Sequence, residues 1–306
     1  MKVKKILSGI ITGLLISMVL HAQQDTVLTP GKPANNPYMI NLYHLEPVSL
    51  PKKSVSVQFF MDSPHYYKWY SPKTNKPEKL SDKMVVNEIN FHGRGYYGIT
   101  DKLDVFLDLP VRDLHYYSPM GFRSGVGLGD IASGINWNFR PLNRDGRNSL
   151  STGLTLGFPT GKYKNLDPDQ MALGEGSFRF NGNFTGLHRW DRYSLIYSAY
   201  YEYRTNHSGM HIGDKTGAYG VFQVPFTTPL GNFGVEGSLY TYWKFKNTDQ
   251  GNTVPNTEDY AVDLGVGGWY NFIDRFYLRF HVPFAVFRNN AWFTQYRVMI
   301  QLDYLF

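Results

Sequence analysis

Phe293-Thr-Gln-Tyr-Arg-Val-Met-Ile-Gln-Leu-Asp-Tyr-Leu-Phe306 is the stretch on which the reading of the fold turns. Every second residue, Tyr296, Val298, Ile300, Leu302, Tyr304 and Phe306, is apolar or aromatic. The opposite parity, Gln295, Arg297, Met299, Gln301, Asp303 and Leu305, is mostly polar. A period of two marks a strand with one apolar face and one wet face. Alone, the pattern suits the last strand of a soluble sandwich as well as a strand that meets lipid.

The other end of the chain bears on that choice. Lys2, Lys4 and Lys5 precede an uncharged apolar run from Ile6 to Leu20, and Ala22 offers a small-residue cleavage point. The run is short for a spanning helix, so residues 1–22 read as a Sec signal peptide that is removed on export. The chain has no Cys, which excludes lipoprotein anchoring, disulfides and thiolate chemistry. Its formal charge of +6 falls to +3 without Lys2, Lys4 and Lys5, which argues against a nucleic-acid partner. A mean hydropathy of −0.35 fits a secreted soluble protein. It fits a membrane barrel equally, because lumen-facing residues dilute the lipid-facing ones. The 23 Tyr, 21 Phe and 6 Trp are the residues barrels use as interfacial girdles. In its aromatic carboxy terminus the sequence resembles bacterial outer-membrane β-barrels. In those proteins the last strand closes the barrel and its end is read by the barrel-assembly machinery. The resemblance implies that role for Tyr304 and Phe306, and outer-membrane lipid around the barrel.

Residues 23–50 hold Pro30, Pro33, Pro37 and Pro47 and read as a periplasmic tail, either disordered or tucked into a barrel mouth. From 51 to 306 twelve alternating segments follow, which predicts an all-β, antiparallel up-and-down transmembrane barrel of about twelve strands. The third segment is the clearest: Leu103, Val105, Leu107, Leu109 and Val111 face outward, with Asp104 and Asp108 inward. The eighth, Gly217 to Phe226, is the weakest, because its alternation is blurred. Tight turns are expected near Thr100-Asp101-Lys102, Asn143–Gly146, Arg189–Arg192, Thr228–Gly231 and Asn271–Arg275. Longer loops are expected over 62–83, 113–126, 160–176, 205–216 and 247–257, with a short one at 288–290. Short turns on one side and long loops on the other are the barrel pattern, and an even count puts both termini on the short-turn side. The turns also recur at a propeller-like spacing. A propeller blade needs four strands per period where two long ones occur.

Three segments resemble the outer-membrane channel family named for the meta-pathway of phenol degradation. They are Tyr97-Gly-Ile-Thr-Asp-Lys-Leu-Asp-Val-Phe-Leu-Asp-Leu-Pro110, Gly125-Val-Gly-Leu-Gly-Asp-Ile-Ala-Ser-Gly-Ile-Asn-Trp-Asn-Phe139 and Ser151-Thr-Gly-Leu-Thr-Leu-Gly-Phe-Pro-Thr-Gly161, with Gly174-Glu-Gly-Ser177 after the last. The resemblance implies an outer-membrane barrel in a Gram-negative bacterium, with a role in passage of small, often apolar compounds. It implies no cofactor and no agreed site residues. Physically, Gly127 and Gly129 suit a close approach at the barrel rim, and Pro110 and Pro159 are expected to end their strands.

The lumen is the candidate site. Its expected lining is Asp104, Asp108, Asp130, Arg179, Glu202, Glu236, Asp263, Arg279, His281 and Arg297. Glu88, Arg94, Arg204, Lys244 and Asp303 share the inward parity. Both signs occur, so these residues either pair and close the lumen or line a wet path for a small solute. Rings of fixed charge would then set its preference. The outer segments His65–Tyr70 and His115–Tyr117 either gather an apolar solute or form a girdle. A phosphate cradle at Gly125–Gly129 lacks its helix. His207, His211 and Asp214 have metal-binding side chains but no rigid element to fix them. No outward His and Ser pair suggests a membrane esterase. The sequence thus predicts a narrow channel and no enzyme, with a closed structural or surface-binding barrel as the alternative.

Overall fold

In the computed structural model, backbone described at residues 48–71, 76–80, 85–118, 121–141, 147–190, 193–207, 209–228, 231–255, 257–273, 276–289 and 292–306 forms a closed β-barrel. Residues 1–47, which hold the expected signal peptide and most of the tail, lie outside the described residues. The barrel strands are β1 (Val55–Ser71), β2 (Val85–Thr100), β3 (Leu103–Ser118), β4 (Ala132–Arg140), β5 (Asn148–Gly157) and β6 (Arg179–Arg189). The second half comprises β7 (Ser194–Arg204), β8 (Lys215–Thr228), β9 (Gly231–Lys244), β10 (Asp259–Ile273), β11 (Phe276–Asn289) and β12 (Trp292–Leu305). Each pairs antiparallel with its sequence neighbour, and β12 pairs with β1 from Ser56↔Leu305 to Trp69↔Trp292. All twelve expected strands are present. Closure is the physical requirement here, because an open sheet edge in lipid leaves backbone groups without partners.

The expected parity holds around the wall. Leu107, Leu154, Val235, Leu264 and Val266 are exposed on the outside, whereas Asp104, Ser149, Thr185, Glu236 and His281 are buried inside. Outward aromatics gather toward the two ends. Trp190, Tyr193 and Phe222 touch in series near the tight turns, and Trp243, Tyr260 and Phe287 do so near the other end. The outward face of β7 stays apolar from Tyr193 to Tyr203. At about 3.3 Å per residue and a tilt near 40°, that run spans roughly 25 Å of hydrocarbon.

Three expectations need correction. Residues 62–71 and 113–118 are not loop. They continue β1 and β3 beyond the apolar band, where β1 pairs with Lys76–Lys79 and β3 with Gly121–Leu128. Pro110 does not end β3. It sits where the neighbour of β3 changes, since β4 pairs only with 103–108 and Gly121–Leu128 only with 111–118. Its missing N–H therefore falls in a gap of the ladder, and its carbonyl accepts from Gly129 N at 2.9 Å. Gln295, expected inward, is exposed, because β12 bulges there. His65 pairs with Tyr296 and Tyr66 with Thr294, so Thr294 takes the buried place. Pro159 does follow the end of β5.

Candidate functional site

Period-two alternation sends the even residues of β2 and β9 and the odd residues of β11 into the lumen. At its centre stands Glu236 of β9. Its carboxylate accepts from Arg279 Nε at 2.9 Å, Arg279 Nη2 at 2.6 Å and Gln223 Nε2 at 3.1 Å. Nδ1 of His281 lies 2.7 Å from Glu236 Oε1, and Nε2 of His281 lies 2.8 Å from Ser238 Oγ. Arg279 and His281 belong to β11, so they reach β9 across β10. Gly265 and Gly267 of β10 make that possible: a Cβ at Gly265 would stand 2.4 Å from His281 Nε2 and 2.5 Å from Ser238 Oγ. Ser238, His281 and Glu236 are the residue types of a nucleophile, base and orienting carboxylate. His281 is fully buried and Glu236 is committed to Arg279, so the group has the geometry of a strut.

A second network joins β1, β2, β3 and β12. Asp108 accepts from Arg94 at 3.1 Å and contacts His92 at 3.2 Å. Arg112 holds Glu88 at 3.2 Å, Tyr66 donates to Glu88 at 2.6 Å, and Arg297 faces Asp62 at 3.4 Å. Glu202 is paired with Arg204 at 2.8 Å, and Asp263 is buried on the lumen face of β10.

Residues 48–50, the end of the tail expected to be either disordered or tucked into the barrel mouth, lie inside the barrel. Leu50 packs against Tyr96, Phe106 and Leu305, while Val48 packs against Leu187, Ile196, Tyr219 and Val221. The segment thus runs across the lumen from β2 and β3 to β6, β7 and β8. Asp104 accepts from Leu50 N at 2.9 Å, and Asp101 from Lys52 N at 2.9 Å. Gly98 is required at this crossing, since a Cβ there would stand 2.2 Å from Pro51 O.

The glycine-rich and Pro-Thr-Gly motifs come together as one latch. Asp130 accepts from Gly161 N at 3.0 Å and Glu175 N at 2.8 Å, and Thr160 Oγ1 bridges Gly129 O and Ile131 N. Gly161 and Gly174 are in backbone contact, and Leu173 lies over Gly125 and Gly127. The connection after β5 is thereby folded against the barrel wall. This holds Asp130 in a local structural role that parity alone did not suggest.

Between these networks a cavity of about 390 Å³ remains. Phe60, Phe106, Pro110 and Leu173 form its apolar wall, with Asp108, Asp130, Arg179, Asn181 and Glu202 among its polar lining. Arg179 lies over Gly157, whose Cβ would stand 2.9 Å from Arg179 Nε.

The remaining candidates are accounted for locally. His211 is 3.3 Å from Asp214, and His207 packs edge-on to Tyr163. Among the described residues no three metal-binding side chains cluster. His65 stacks on Tyr296, while His115 and Tyr117 pack on Phe122, so these aromatics belong to strands, not loops. At the barrel seam Phe306 N donates to Val55 O at 2.7 Å, and the Phe306 ring meets Tyr304 at 4.6 Å.

The fold matches that of known outer-membrane barrels. An outer membrane channel from Pseudomonas putida F1 superposes with a TM-score of 0.70 at 15% identity, over 85% of this chain and 97% of that one. The β domain of the Bordetella autotransporter BrkA superposes with a TM-score of 0.50 at 11% identity, over 83% of this chain and 99% of that one. No curated protein matches the chain by sequence. The model of one family spans residues 88–298, which is most of the barrel and includes all three motif segments. The chain belongs to that family, described as "Putative MetA-pathway of phenol degradation".

Proposed function

We propose that this barrel is a narrow channel for passive passage of a small solute across the outer membrane of a Gram-negative bacterium, after Sec export. The observation that carries the reading is a cavity with charged and apolar lining inside a closed barrel with an apolar outer belt. The channel from Pseudomonas putida F1, similar over nearly its whole length, supports it. Twelve strands enclose more than eight-stranded barrels and less than porins of sixteen strands, which suits a selective path. Asp104, Asp108, Glu202, Glu236, Arg279, His281 and Arg297 are each held by partners, so they shape the path and do not tune it. Arg179 lines the cavity and makes no ion pair among the described residues, so it is free to set an electrostatic preference. Catalysis is not part of the reading, because Ser238 and His281 lie outside the lining of the cavity.

One observation favours a closed, structural barrel instead: residues 48–50 cross the lumen. Solute flux separates the two. Liposomes carrying the purified barrel should swell in small solutes faster than empty ones, and an absence of swelling across a solute series would leave the structural reading.

A further inference from the structure

We propose that the lumen cavity is a binding site for a small organic carboxylate, anchored on Arg179 with Asn181 beside it. This deepens the channel reading by naming the solute class. Arg179 and Asn181 stand two residues apart on β6, so both side chains enter the lumen about 6–7 Å from one another. Asn181 is 93% buried beside it in the cavity lining, and its side-chain NH2 is the group that can donate to a carboxylate. Arg179 Nε has no hydrogen-bond partner, and among the described residues its guanidinium makes no ion pair.

The neighbours explain why the charge stays free. Across one side of β6, Arg179 faces Gly157, which supplies only open backbone. Across the other it faces Arg204. Arg204 takes both nearby acids, Glu202 at 2.8 Å and Glu175 at 3.5 Å. Two cations directly opposite on adjacent strands repel, which an added anion would relieve. The remaining acids of the wall are occupied: Asp108 by Arg94 and His92, and Asp130 by two backbone amides. A guanidinium offers paired N–H groups that fit a carboxylate in bidentate fashion. The apolar part of the lining, with Phe60, Phe106 and Leu173, suits an apolar body. A cavity of about 390 Å³ has room for a small aromatic body.

The test is equilibrium titration of the full-length barrel in detergent with benzoate and with its neutral counterpart benzamide. Benzoate should bind at least roughly tenfold more tightly, the usual scale for a charge-assisted contact. Arg179→Gln should bring benzoate down to the benzamide level, and Arg179→Lys should recover part of the difference. Retained heat-modifiable migration certifies that each variant has folded. Equal affinity for the two ligands, wild-type affinity in Arg179→Gln, or no benzoate binding at all would overturn the proposal. The readout does not depend on conduction. A barrel that conducts without binding benzoate refutes this inference alone, and one that binds benzoate without passing solute refutes the channel reading alone.

Discussion

Phe184 and Asn183 are adjacent on β6 and face opposite solvents, which makes them a sharp test of the barrel parity. Phe184 lies at the middle of Arg179–Arg189, on the outer face between Thr152 and Ala199. Phe184→Arg puts a charge near the bilayer midplane, at a cost of about 2–4 kcal/mol. At 1.4 kcal/mol per decade this is roughly a 30- to 1,000-fold loss in the folding equilibrium. Asn183 points inward, 94% buried, and neither of its amide atoms has a hydrogen-bond partner. Asn183→Ser removes no hydrogen bond and introduces no charge into lipid, so it should cost much less than Phe184→Arg. Equilibrium unfolding of both variants in lipid vesicles, followed by tryptophan fluorescence, measures the contrast. Equal effects at 183 and 184 would refute the assigned faces. On β3 the contrast between Leu107→Arg and Asp108→Asn should be smaller, because Asp108 supports Arg94 and His92.

Arg279→Met should destabilise the barrel by about 3–5 kcal/mol, since it leaves Glu236 buried without its cation; a shift in the unfolding midpoint reads this out. Gly265→Ala should cost about 1–3 kcal/mol by pushing His281 off Ser238, whereas Gly95→Ala, with open space around its Cβ, should cost less. Phe306→Ala should lower the amount of barrel in the outer membrane, because it removes the ring that covers Tyr304 at the seam between β1 and β12; unchanged levels in membrane fractions would contradict this.

The strands and their faces were legible in the sequence because lipid imposes one simple rule on the outer face of every strand. The rule fails where its cause is absent. Above the apolar band β1 and β3 need no apolar outer face, so residues 62–71 and 113–118 read as loop although they continue to pair. The eighth segment read weakly for a related reason. Tyr219 and Val221 face the lumen, yet they are apolar because Val48 packs on them. The crossing of the lumen by Val48 and Leu50 had no local signal, since two apolar residues in a proline-rich stretch carry no periodicity. Alternation showed that Glu236, Arg279 and His281 face inward. It did not show that they pair across β10, which depends on Gly265 and Gly267 leaving that strand bare. The glycine motifs read as a rim feature, and their partner, the Gly161–Glu175 connection, emerged only with the fold.

Single-channel recording in planar bilayers shows directly whether the barrel holds a passage crossed by residues 48–50. The comparison is wild type against Gly98→Val, whose added side chain collides with Pro51 O and displaces the crossing segment. Wild type should give small, discrete current steps, and Gly98→Val should give steps several times larger with the same heat-modifiable fold. Silent membranes with both proteins would contradict a passage through the barrel, and identical steps from the two would contradict its obstruction by residues 48–50.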